Sequence, residues 1–145
     1  SYGGNDINLI SGKLNLLKIK QILKKHGHIM CQKFLNKIKF GDKRVFIING
    51  KVCGAIRRIP SKNSILSNIS QGGTAVKTTL NSKQNKISSI IAKDLLKNKI
   101  YFAGIDFVSN YLIGDINVTS PTGLPQYKEL TGINLGETFW DNLEN

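Results

Sequence analysis

The stretch "KRVFIINGKVCGAIRRI", residues 43–59, constrains this chain more than any other. Two runs rich in Val, Ile and Phe flank Asn49-Gly50. An Asn-Gly pair accepts the positive φ angles of a type I′ turn, whose twist matches that of paired strands. The stretch therefore predicts a tight antiparallel hairpin, and any fold of the chain must contain a sheet built on it. With a two-residue turn, pleat parity puts Arg57 on the face that carries Arg44. All three arginines of the chain, Arg44, Arg57 and Arg58, fall in this one unit. Arginine suits a bidentate grip on phosphate or carboxylate. The same three residues also suit salt bridges at a rim.

The remaining segments alternate between helical and extended signals. Residues 13–26 carry Leu16, Ile19 and Leu23 at helical spacing, with Gly27 as a stop. "HIMCQKFL" (28–35) reads as a strand, and residues 83–99 read as a second amphipathic helix. "IYFAGIDFV" and "YLIGDINV" read as two strands joined around Ser109-Asn110, "SPTGLP" as a turn. The C-terminal residues 134–145 read as a helix with Asn134 as N-cap and Glu137 three positions on. Between the first hairpin and the second helix lies a polar loop, residues 61–75, long enough to be either disordered or a lid. There are no repeats, and only residues 36–41 look like a boundary. Hairpins mixed with helices predict an α+β fold with a mainly antiparallel sheet.

The formal charge of +12 invites a nucleic-acid reading. The pattern argues against it. The excess is mostly lysine, spread with Ile and Asn, and the densest run, "KIKQILKKH", has helical spacing that reads as a solvated face. Nucleic-acid readers cluster arginine with exposed aromatics. A general attraction to anionic ligands such as nucleotides fits better. No apolar run is long enough for a membrane span, and no secretory signal pattern is present. Cys31 and Cys53 lack metal or redox spacing and read as buried free thiols of a reducing cytoplasm. His26 and His28 flank Gly27 without a third ligand nearby, and no nucleophile motif supports a catalytic triad. Ser1 falls in a glycine-containing loop, so the N-terminus of the natural protein is expected upstream.

Acidic residues are scarce, nine in all, yet Asp115 sits two positions before Asn117 inside an apolar run. In a strand these two side chains share a face. With Ser109-Asn110 as the turn, Asp106 sits opposite Ile113, on that same face. Three oxygen-bearing side chains then converge. A buried carboxylate pair is costly without a counter-charge, and a hard cation such as Mg²⁺ relieves it while leaving positions open for phosphate oxygens. Solvent-facing polar residues of an edge hairpin would show the same spacing.

"GDKRVFIINGKV", "RRIP", "SNISQGG", "FAGIDFV" and "DINVTSPTG", in this order and at these intervals, resemble the C-terminal half of bacterial glutathione synthetases, ATP-grasp ligases. The resemblance runs from about residue 29 onward and is weaker in the first helix. It implies that residues 1–38 end the ATP-grasp lid subdomain and that residues 39–145 form the C-terminal subdomain. It implies that ATP phosphorylates the cysteinyl carboxylate of γ-glutamylcysteine and that glycine attacks the acyl phosphate. It places Asp106, Asp115 and Asn117 as ligands of Mg²⁺ (or Mn²⁺), with Asp115 one methylene shorter than the family's glutamate. Gly3 and Gly4 would cover the phosphates, Gln32, Lys33, Phe34 and Leu35 would bind adenine, and Asp42 would also bind ATP. Arg44 and Arg58 would contact phosphate or acyl phosphate. Here the resemblance points to Arg58 where pleat parity points to Arg57. Asn68, Gly72 and Gly73 match the lid motif, with Thr74 in place of the family's next arginine. Ser120, Pro121 and Thr122 would shape the peptide or glycine pocket.

The family's phosphate-binding lysines lie upstream of the glycine loop, outside this sequence. Residues 1–145 by themselves are therefore expected to be inactive. The family is often tetrameric, which implies a homo-oligomer as an option. Another ATP-grasp carboxylate–amine ligase and a non-catalytic basic binding module are the alternatives.

Overall fold

A computed structural model describes residues 7–10, 15–61, 72–110 and 113–143. The chain divides into two compact units, Ser1–Asn36 and Lys37–Asn145. Within the first, helix α1 (Leu16–His26) starts at Asn15, whose side chain accepts from the Lys18 amide, and ends at Gly27 with φ of 77°. Residues 28–35 form no strand. The expected strand "HIMCQKFL" fails because a strand needs a ladder partner, and the first unit offers none among the described residues. Cys31 is accordingly exposed rather than buried.

A 3-10 turn, Asn36–Phe40, runs across the boundary, and the second unit is built on a five-stranded antiparallel sheet, which β3 (Thr74–Lys77), β2 (Lys51–Ile59), β1 (Asp42–Ile48), β4 (Phe102–Phe107) and β5 (Ile113–Asn117) cross in that order. Asn49 and Gly50 have φ of 45° and 72°, the signs that the type I′ turn requires. The register then slips between Phe46 and Ile47: Ile47 pairs with Val52, but Phe46 pairs with Gly54. Cys53 is the extra residue of a β-bulge. Every β2 residue beyond it is moved to the other face relative to an unbroken ladder.

Central strand β1 is buried on both faces, and its alternation divides the core. Val45 and Ile47 join Ala55, Ala103, Ile105 and Phe107 under helix α2 (Ser82–Lys97). Phe46 and Ile48 join Ile56, Tyr127 and Leu135 on the opposite face, with helices α3 (Leu124–Thr131) and α4 (Leu135–Asp141). Helix α2 opens on a capping box: Asn81 accepts from the Gln84 amide at 2.8 Å, and the Gln84 side chain accepts from the Asn81 amide at 3.1 Å. Buried Gln84 also accepts from Lys43 Nζ at 3.1 Å and donates to the Ser109 carbonyl at 3.2 Å. Burial, and then the charge of Arg57, pull the Lys43 pKa below the ordinary lysine value.

Helix α3 and strand β3 were not apparent from the sequence. "SPTGLP" is irregular over residues 120–123 rather than a turn, and Pro125 occupies the first turn of α3, where its missing N–H costs nothing. Tyr127 of that helix packs edge-on against Phe46, ring centroids 5.6 Å apart. Strand β3 is short and gains its order from pairing with β2.

The Tyr127 ring lies where a Cβ on Gly54 would be, 2.5 Å from its Cζ. Gly54→Ala must displace that ring and is expected to cost about 1–3 kcal/mol by overpacking. Urea denaturation of the chain measures it; an unchanged midpoint would mean that Tyr127 does not seal this face.

Candidate active site

The face that carries Phe46 and Ile48 turns polar toward the other end of the same strands. In β1 the alternation Ile48, Phe46, Arg44, Asp42 continues one face, and Asp42 pairs with Arg58 while Arg44 pairs with Asp106. The bulge at Cys53 puts Arg58, not Arg57, on this face. Parity from an unbroken hairpin is thereby corrected: Arg57 lies on the opposite face beside Lys43, exposed, and donates to the Phe40 carbonyl at 2.7 Å.

Four charged side chains form one buried chain, Arg44, Asp106, Arg58 and Asp42, at 3%, 6%, 2% and 6% exposure. Arg44 donates from Nε to Asp106 Oδ1 and from Nη2 to Asp106 Oδ2 at 2.8 Å. Arg58 grips Asp42 with Nε to Oδ1 at 2.8 Å and Nη2 to Oδ2 at 2.6 Å. The same Nη2 reaches Asp106 Oδ2 at 2.7 Å and so links the two pairs. Burial disfavours the charge on Arg58, but the hydrogen bonds and fields of Asp42 and Asp106 outweigh it and raise its pKa above the ordinary value. Arg58 stays cationic.

The run from Gly114 to Gly123 completes the site. Asp115 faces Asp106 directly across β4 and β5, and Asn117 faces Gly104. The expected opposition of Asp106 and Ile113 is corrected: a slip between Asp106 and Phe107 pairs Ile113 with Phe107. The shared face of Asp106, Asp115 and Asn117 survives, because the bulge and the altered turn move the ladder by two residues together. Asn117 then ends the strand with an Asx turn, its Oδ1 accepting from the Thr119 and Ser120 amides at 3.1 and 3.0 Å. That turn brings the Thr122 carbonyl within 3.2 Å of Arg44 Nη1. Pro121 and Arg44 meet over Gly104: a Cβ there would lie 2.8 Å from Arg44 Cδ and 3.1 Å from Pro121 Cβ. Only glycine leaves room for both.

The donor set of Asp106, Asp115 and Asn117 is all oxygen, the chemistry a hard cation takes. Asp115 is exposed and forms no ion pair among the described residues, so its carboxylate is available. Asp106 has already spent most of its acceptor capacity on the two arginines. Asn117 would have to release a turn amide to bind a cation directly. Among the described residues no group of three His, Cys, Asp or Glu side chains is near enough to hold a metal.

The other expected residues are placed as follows. Gln32, Lys33 and Phe34 are exposed and Leu35 half-buried in the irregular segment of the first unit. Gly72 is exposed, with φ of 83°, and Gly73 is half-buried just before β3. Gly3, Gly4 and Asn68 lie outside the described residues, as does most of the expected lid. The commitment of Asp42 to Arg58 was not apparent from the sequence. Its only sequence signal was an acidic residue at the start of a hairpin that ends in two arginines.

Asp106→Asn leaves a buried guanidinium without its counter-charge, and the expected loss of stability is about 3–5 kcal/mol. Asp115→Asn, on an exposed side chain, is expected to change stability by no more than about 0.5 kcal/mol. Equilibrium denaturation of the two variants side by side checks the contrast. Equal losses would mean that Asp106 does not neutralise the arginines.

Residues 1–132 match the family model for the prokaryotic glutathione synthetase ATP-grasp domain. The chain is 38% identical over 128 residues to a glutathione synthetase of Synechocystis sp., covering 87% of this chain and 40% of that protein. It is 35% identical over 142 residues to one of Gloeobacter violaceus, covering 96% and 44%. It is 31% identical over 144 residues to one of Brucella melitensis, covering 98% and 46%. The chain thus spans about two-fifths of the length of the curated relatives it matches. With an antiparallel sheet flanked by helices and a family match over nearly its whole length, the chain belongs to the prokaryotic glutathione synthetases, within their ATP-grasp domain.

Proposed function

We propose that the protein containing this chain joins glycine to γ-glutamylcysteine at the expense of ATP. The observation that carries the reading is the match of residues 1–132 to the ATP-grasp domain of the family. The buried arginine–carboxylate chain beside an exposed Asp115 supports it, because this chemistry needs positioned and neutralised phosphates more than a covalent nucleophile. In this reading residues 1–38 end the lid subdomain and residues 39–145 form the C-terminal subdomain.

The γ-phosphoryl group passes to the cysteinyl carboxylate, which gives ADP and an acyl phosphate. The glycine amine then attacks the acyl carbon, phosphate leaves, and the new amide nitrogen loses a proton. Guanidinium N–H groups of Arg44 and Arg58 not spent on Asp42, Asp106 or Thr122 are the donors for phosphate and acyl phosphate oxygens. A guanidinium held by carboxylates cannot swing, so its charge is oriented before substrate arrives. Pro121 and Thr122 lie beside Arg44, and with Ser120 they would shape the pocket for the peptide or glycine. Gln32, Lys33, Phe34 and Leu35 would bind adenine, and Gly3, Gly4, Asn68, Gly72 and Gly73 would close over the reacting groups. Mg²⁺ or Mn²⁺, held by Asp106 and Asp115 with Asn117 beside them, would supply charge neutralisation at the ATP phosphates. Free thiols at Cys31 and Cys53 suit a cytoplasmic enzyme.

The test is an assay of the full-length protein with ATP, Mg²⁺, γ-glutamylcysteine and glycine, following ADP and glutathione together. Equimolar products are expected. ADP release that depends on a different dipeptide or amine would replace this reading with another ATP-grasp ligase. Arg44→Ala is expected to lower kcat by about 100–1000-fold, the usual cost of one preorganised donor to a developing oxyanion. Asp115→Asn is expected to raise the Mg²⁺ concentration needed for half-maximal rate. An unchanged Mg²⁺ requirement would remove Asp115 from the metal site.

A further inference from the structure

The first residue of β1 has a place in the charge chain that its expected role as an ATP-binding residue does not explain. Asp42 and Arg58 are a facing pair of an antiparallel ladder, close enough for direct side-chain contact. A guanidinium carries five N–H donors in a fixed fork. Arg58 spends Nε and one Nη2 hydrogen on the two oxygens of Asp42 and the second Nη2 hydrogen on Asp106. Its Nη1 donors have no acceptor among the described residues. Both oxygens of Asp42 therefore face a buried cation, and the carboxylate itself is enclosed.

We propose that Asp42 is a positioning residue. It holds Arg58 edge-on, which directs Nη2 to Asp106 and leaves Nη1 without an acceptor among the described residues. Asp106, pinned from that side, in turn orients Arg44. The physical reason is competition for carboxylate oxygens. Two guanidinium groups share two carboxylates, and each keeps a bidentate partner only while both carboxylates are in place. Without the Asp42 charge, Arg58 retains Asp106 alone, which Arg44 already grips through both oxygens. The two arginines then contend for one carboxylate, and Arg44 moves although it does not touch Asp42. The proposal rests on the reading of this cluster as part of a ligase active site.

The test uses the full-length protein and two readouts. In steady-state assays Asp42→Asn is expected to lower kcat about 100-fold, the cost of misplacing a reacting partner by roughly an ångström, with KM for ATP unchanged. Asp42→Glu, which restores the carboxylate, is expected to recover part of that loss. Arg58→Lys keeps the charge but loses the fork, and should fall as far as Asp42→Asn. The double variant should fall no further, because the pair acts as a unit. A rise in KM for ATP with kcat intact would overturn the proposal and make Asp42 a direct nucleotide contact. Independent of activity, the arginine side-chain Nε–H resonances of the full-length protein report the clamp. Asp42→Asn should shift the Arg44 signal as well as that of Arg58; an unmoved Arg44 signal would overturn the proposal. If the unmodified protein makes no glutathione, the proposed function fails while the resonance test still decides the clamp.

Discussion

Two guanidinium groups are buried on one face of a sheet, and two carboxylates make that burial tolerable. Taking a charge out of water costs several kcal/mol even after relaxation, and an opposite charge offsets it only with good geometry. Here the geometry comes from the ladder. Asp42 faces Arg58 and Arg44 faces Asp106 because three adjacent strands hold these positions in register. The Arg58 Nη2 bridge then ties the two pairs into one unit. The rest of the site follows from keeping that unit in place. Gly104 leaves room for the Arg44 stem, and the turn after Asn117 delivers the Thr122 carbonyl to its head.

The apolar half of the same face has a related purpose. Phe46, Ile48 and Ile56 pack against α3 and α4 and fix the strands that carry the charges. On the far face α2 covers Val45, Ile47 and Ile105, so β1 cannot shift without loss on both sides. A central strand clamped in this way is a rigid base for the side chains at its end, and rigidity is what electrostatic preorganisation requires. Gln32, Lys33, Phe34 and Leu35, expected from the resemblance to meet adenine, lie instead on an irregular segment of the first unit.

Much of this was legible in local sequence. The Asn49-Gly50 hairpin has a turn chemistry that few other conformations accept, and Asn134 and Gly27 mark helix ends by their own backbone preferences. The same-face grouping of Asp106, Asp115 and Asn117 follows from the period of two along a strand. Ordered motifs shared with the glutathione synthetases carried the family. The errors have a common cause. "HIMCQKFL" has strand composition but no ladder to join. Thr74–Lys77 has little strand character yet pairs because β2 offers an edge. Leu124–Thr131 has a proline in its first turn, which reads as a loop until the apolar face beneath it is known.

The sequence by itself determined which residue types are present and which of them share a strand face over short spans, because turn preferences and pleat are local properties of the backbone. It also determined the family, through motifs whose order survives divergence. Tertiary structure alone decided that Arg58 rather than Arg57 is buried, since one extra residue at Cys53 reverses the parity of everything after it. It alone decided that Asp42 belongs to Arg58 and that Asp106 is divided between two arginines. Those pairings depend on three strands meeting in one register, and no local preference specifies which bulge lets them meet.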